Sequence, residues 1–122
     1  MRALETSRLI TDLYSAKITL ATMREAMSAK EMSERLGIPI AACYRKIRQL
    51  EDAGLLSCTE RRITRSGKRV SYYKSKVKNA NIEFSEGVVM VSIKKTDGPV
   101  ENYTYVLPAN IVNEETRDCA IH

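Results

Sequence analysis

Apolar residues in the first half of the chain recur every three or four positions, and between residues 80 and 107 every second position. The first spacing belongs to helices with one buried face, the second to half-buried strands. From Leu9 the apolar steps run Leu9, Leu13, Ala16, Leu20, Met23 and Met27, a heptad stripe. It predicts a helix whose Leu20, Met23 and Met27 pack on the elements that follow. Leu9, Ile10, Leu13 and Tyr14 are open either to that core or to a dimer contact. Ser15 offers a capping oxygen, so a helix break near it fits the pattern. Residues 1–8 are mixed, loose or a lead-in to this helix.

The next two stretches carry sharper signals. Ser28 to Gly37 reads SAKEMSERLG. Ser28 with Glu31 forms a capping box, and Met32 and Leu36 give the helix an inward stripe. Lys30 with Glu34 and Glu31 with Arg35 are surface pairs worth a few tenths of a kcal/mol each. After a tight turn at Gly37, the stretch from Ile38 to Leu56 reads IPIAACYRKIRQLEDAGLL. Cys43, Ile47 and Leu50 share one face, and Ala41, Arg45 and Arg48 share another with Tyr44 beside them. Pro39 suits a first helical turn and Gly54 a left-handed C-terminal cap. Two short helices joined by a glycine turn, the second basic outside, make a helix-turn-helix.

Residues 55–60 and 69–75 read as two strands around Arg61-Arg62-Ile63-Thr64-Arg65-Ser66-Gly67-Lys68, where Ser-Gly signals a turn. From Ser57 to Lys78 there are eight Lys+Arg and one acid, Glu60. A charged hairpin tip is ordinarily a solvated loop. Directly after a basic helix, a phosphate-contacting wing is the better reading. Farther on, Ile82 and Phe84 alternate, then Val89, Val91 and Ile93, then Tyr103, Tyr105 and Leu107. Turns at Ser85-Glu86-Gly87 and Thr96-Asp97-Gly98-Pro99 separate them. This predicts a three-stranded antiparallel meander, ended by Pro108. Residues 109–122 form a short final helix or fray.

SAKEMSERLGIPIAACYRKIRQLEDAGLL followed by RRITRSGKRVSYYKS resembles the winged helix-turn-helix of ArsR-like transcriptional regulators, the archaeal ones especially. The resemblance spans about Ser15 to Ser75, with the AGLL exit and the G-K-R-V-x-Y-Y second wing strand. It implies an α+β fold: a three-helix core with a β-hairpin wing, followed here by the small meander. It implies double-stranded DNA as partner and a homodimer as the working form. The reader maps onto Pro39, Ile40, Ala41, Ala42, Tyr44 and Arg45, with Lys46 and Arg48 nearer the backbone. Arg61, Arg62, Arg65, Lys68 and Arg69 of the wing would contact phosphates. Arg45 suits a bidentate contact to guanine. Tyr44 either touches DNA or packs partly buried against the wing. Pro39, Ile40 and Ala41 offer few hydrogen bonds, so DNA shape would carry much of the specificity. The tail departs from the family pattern, in which a C-terminal helix commonly completes the dimer.

Charge sharpens this picture. The chain carries +5 overall, but residues 1–79 hold 17 Lys+Arg against 8 Asp+Glu and residues 80–122 hold 3 against 7. A basic front and an acidic back point one face at a polyanion. At 122 residues the chain divides as 1–78 (winged helix-turn-helix), 79–108 (meander, for dimerisation or an effector) and 109–122 (tail).

Other chemistries find little support. Cys43, Cys58 and Cys119 are far apart and His122 is the lone histidine. The odd count argues for a reducing cytoplasm. Cys43 falls on the buried stripe. Cys119 with His122 gives at most two metal ligands, and the helix before the reader has no cysteine, so no metal or other cofactor is expected. No Gly-rich phosphate loop, G-x-S-x-G or HExxH occurs, and no enzymatic activity is expected. Uncharged runs are too short to span a bilayer. Two further readings stay open: a winged-helix protein–protein module of an archaeal transcription complex, and a redox- or ligand-responsive switch.

Overall fold

The computed structural model describes residues 3–108. Four helices come first, α1 (Ala3–Thr11), α2 (Leu13–Arg24), α3 (Ala29–Leu36) and α4 (Ile40–Asp52). Five strands follow, β1 (Leu56–Ile63), β2 (Arg69–Ser75), β3 (Val77–Ser85), β4 (Val88–Lys95) and β5 (Val100–Val106). β1 and β2 form one antiparallel hairpin, and β3-β4-β5 form an antiparallel meander. The expected final helix or frayed tail at 109–122 lies outside the described residues, as do Cys119 and His122.

The long first helix expected from the heptad stripe is two helices. The break is at Asp12, not Ser15: the Asp12 carboxylate accepts the Ser15 N–H at 3.1 Å and caps α2. The new start changes which side of α2 faces inward. Ser15, Ile18 and Thr22 are buried, whereas Leu13 and Leu20 are 65% and 64% exposed. Leu20 is therefore not the core residue the stripe implied. Thr22 tolerates burial because its hydroxyl donates to the Ile18 carbonyl at 2.6 Å. Met27 is buried as expected, and Met23 packs half-buried against the core.

α3 begins as its sequence requires. The Glu31 N–H donates to Ser28 Oγ at 3.1 Å, and the Ser28 N–H donates to Glu31 Oε1 at 3.2 Å. Gly37 ends the helix at φ +69°, in the left-handed region where a Cβ is strained. Ile38 plugs the turn into the core, and the Ser33 hydroxyl donates to its carbonyl at 2.6 Å.

One core runs through the molecule. Ile18, Met32, Ile38, Cys43, Ile47, Leu50, Leu55 and Leu56 fill the space among the helices. Met27 and Tyr73 exchange backbone hydrogen bonds at 3.0 and 2.8 Å, which moors the hairpin base to the helices. The meander presents Ile82, Val89, Val91, Ile93, Tyr103 and Tyr105 on one face, the alternation a half-buried sheet requires. α1 packs across β4 and β5 and helps to cover that face. α1 thus sits against the sheet, and the boundary drawn between residues 78 and 79 falls inside β3.

Candidate nucleic-acid interface

α4 turns its apolar side inward and its basic side out. Ala42, Cys43, Ile47 and Leu50 are buried. Burial raises the Cys43 thiol above its ordinary pKa, in keeping with a core residue. Ile40, Ala41, Tyr44, Arg45 and Arg48 are exposed, with Tyr44 at 58%. Tyr44 is therefore not packed away. Among the described residues no carboxylate lies within 4.0 Å of Arg45 or Arg48. Pro39 stands exposed at the N-cap (φ −54°, ψ 138°), one position before the first helical turn in which it was expected.

One expected reader residue, Ala42, and one expected backbone contact, Lys46, point elsewhere. Ala42 is 5% exposed and belongs to the core, because it lies one turn before Lys46 on the flank of α4 that packs against α2. Lys46 lies about 160° round the helix from Arg48. Its ammonium sits 3.3 Å from Asp12, at the break between α1 and α2. It lines a groove of about 580 Å³ with Glu5, Arg8, Leu9, Asp12, Gln49 and Asp52, between α1 and one flank of α4.

The hairpin is longer than the sequence suggested, because β1 continues to Ile63. Its register places Arg61 opposite Ser71 and Ile63 opposite Arg69 on one face, with Glu60 opposite Tyr72 and Arg62 opposite Val70 on the other. The expected cationic set is thus divided. Arg61 and Arg69 share a face. Arg62 is held on the opposite face by Glu60, with its guanidinium 4.0 Å above the Tyr72 ring. That carboxylate lifts the Arg62 pKa further, and Arg62 lowers that of Glu60.

Arg65 and Lys68 stand at the tip, where the chain braces itself. The Thr64 N–H donates to the Lys68 carbonyl at 2.8 Å, and the Gly67 N–H donates to the Thr64 carbonyl at 2.9 Å. Ile63, which the sequence placed in the loop, stands exposed beside Arg61 and Arg69. A lone β-branched residue amid arginines is its only signal. Glycine, serine and arginine density made the segment read as a turn instead.

Two short helices meeting at a left-handed glycine, with the second helix's outer side exposed, define a helix-turn-helix unit. Residues 14–59 match the family model of a helix-turn-helix domain, a stretch that takes in α2, α3, α4 and the start of β1. Such a domain points to DNA binding and transcription regulation. No curated protein matches the chain significantly. Among the described residues no helix is long and apolar enough to cross a membrane.

Proposed function

We propose that the protein is a sequence-specific transcriptional regulator of the winged helix-turn-helix class, similar to ArsR-like regulators and acting as a homodimer. α4 enters the major groove with Tyr44 and Arg45 foremost, and the β1–β2 hairpin serves as the wing along the flanking backbone. The carrying observation is that Arg45 and Arg48 stand exposed, with no carboxylate within 4.0 Å among the described residues, on one side of a helix whose other side is locked into the core. An unpaired guanidinium has its full donor set available for guanine or phosphate.

The hairpin extends this charge. Arg61, Arg69, Arg65 and Lys68 are exposed and none has a carboxylate within 4.0 Å among the described residues. Cations of this kind bind backbone without reading sequence. Two copies would engage half-sites about 34 Å apart, one turn of the duplex.

The test is a salt titration of binding to a duplex selected from random sequence. Six to ten phosphate contacts give a log–log slope of about −5 to −9. A flat response removes the proposal.

A further inference from the structure

β5 is an edge strand whose outward side meets no other strand among the described residues. The ladder phase shows which of its backbone groups face outward. The Leu107 N–H donates to the Gly87 carbonyl at 2.7 Å, and the register continues Val89↔Tyr105, Val91↔Tyr103, Ile93↔Glu101. Hydrogen-bonded and non-bonded pairs alternate in an antiparallel ladder. Glu101, Tyr103 and Tyr105 therefore bond to β4, while Val100, Asn102, Thr104 and Val106 turn their N–H and C=O groups away from it.

The two edges of the meander are not alike. β3 carries a register slip between Val77 and Asn79 and exposes Lys78 and Glu83, features that discourage strand addition. β5 reads Val-Glu-Asn-Tyr-Thr-Tyr-Val, with no proline, lysine or bulge. Its one charge, Glu101, is occupied by Lys95 at 2.8 Å and by the Tyr103 hydroxyl at 2.7 Å. A groove of about 450 Å³ runs beside this edge, lined by Ala3, Leu4 and Glu5 of α1 and by Asn102 to Tyr105.

We infer that β5 pairs antiparallel with β5 of a second copy, about a two-fold axis at Tyr103, so that the two meanders join into one sheet. The sequence of the strand selects this occupant. Pairing about Tyr103 sets Val100 against Val106 of the second copy and Asn102 against Thr104, and it uses every outward-facing backbone group of the strand. Val100 and Val106 are 47% and 61% exposed on the same sheet face, and each would cover the other. The contact is isologous, as a closed dimer requires. It deepens the dimeric reading above by naming the surface, yet it does not depend on DNA.

The test combines solution mass, amide exchange and a cross-link. The full chain should run at dimer mass, with Asn102 and Thr104 amides protected in proportion to protein concentration. Thr104→Pro removes an outward N–H without touching the β4 ladder, and should halve the mass while the circular dichroism is retained. Val106→Lys should do the same by placing a charge at the join. With Cys58 and Cys119 changed to serine, Tyr103→Cys should form an intersubunit disulfide on oxidation, because a non-bonded pair sets its Cα atoms about 4.5 Å apart.

Dimer mass unchanged in both edge variants overturns the inference. So does a monomer whose Asn102 and Thr104 amides are protected at every concentration, which would mean that another part of the same chain fills the edge. A dimer through β5 that ignores duplex DNA would sink the regulator proposal and leave this surface standing. A monomer that binds duplex would do the reverse.

Discussion

The Lys46 ammonium lies 3.3 Å from Asp12, the residue that also caps α2. One carboxylate thereby ties α4 to the break between the first two helices. Losing the carboxylate costs both the cap and the pair, so Asp12→Ala should destabilise by about 1–2 kcal/mol. Lys46→Met keeps the cap and should cost less than about 1 kcal/mol. Urea denaturation distinguishes them, and equal losses would show that the cap is not the larger part.

The same carboxylate sets a pH dependence. The Ser15 N–H, and after it Lys46, hold Asp12 below the usual aspartate range. Lys95, then Tyr103, lower Glu101 in the same way. Each folded pKa is below its unfolded value. The stability these groups contribute is complete above the ordinary carboxylate range and is lost as pH falls through the lowered folded values. Asp12→Asn keeps an acceptor for the cap and removes the titration. Its stability should fall less steeply than the parent's below about pH 4. An unchanged slope would mean that Asp12 takes no part.

If α4 enters the major groove as proposed, position on the helix should outweigh charge. Arg48→Ala should reduce the magnitude of the salt slope by about one, whereas Lys46→Met should leave it unchanged. Arg45→Ala should cost roughly 1–3 kcal/mol at the preferred site and relax base preference there. Arg65→Ala should weaken all sequences alike. Arg62→Ala should have a smaller effect than Arg69→Ala, because Glu60 and Tyr72 already hold Arg62. Equal effects of Lys46 and Arg48 would disprove the orientation of α4.

Local rules made the helix-turn-helix legible. Ser28 and Glu31 cap each other, Gly37 and Gly54 take positive φ, and Cys43, Ile47 and Leu50 turn inward. Strict alternation gave the meander in the same way. What failed needed knowledge of tertiary partners. Asp12 reads as an ordinary polar residue until its capping bond is seen, and that bond rephases everything from Leu13 to Arg24. Serine and threonine on the buried face of α2 carry no hydropathy signal. Lys46 counted as one more cation because charge along a sequence says nothing about which side of a helix has an acid waiting.

The rephasing of α2 has a direct stability consequence. Ile18 is fully buried and Leu20 largely exposed. Ile18→Ala should cost about 2–5 kcal/mol through lost transfer and a residual cavity. Leu20→Ala should change the stability of the monomer by no more than about 0.5 kcal/mol. Reversal of that order in chemical denaturation would restore the uninterrupted heptad.

Gly37 and Gly54 separate backbone strain from crowding. Both have positive φ, at +69° and +74°. A Cβ on Gly37 meets nothing within 4 Å, so Gly37→Ala carries the left-handed penalty alone, about 1–2 kcal/mol. A Cβ on Gly54 would stand 3.0 Å from the Lys95 ammonium. That side chain is flexible at its end, but it is engaged with Glu101 at 2.8 Å, so moving it aside disturbs a contact inside the meander. Gly54→Ala should therefore destabilise more than Gly37→Ala, and Lys95→Ala made together with Gly54→Ala should recover part of the excess. A double-mutant cycle measures this coupling. Strict additivity would show that the end of α4 and the meander do not communicate through Lys95.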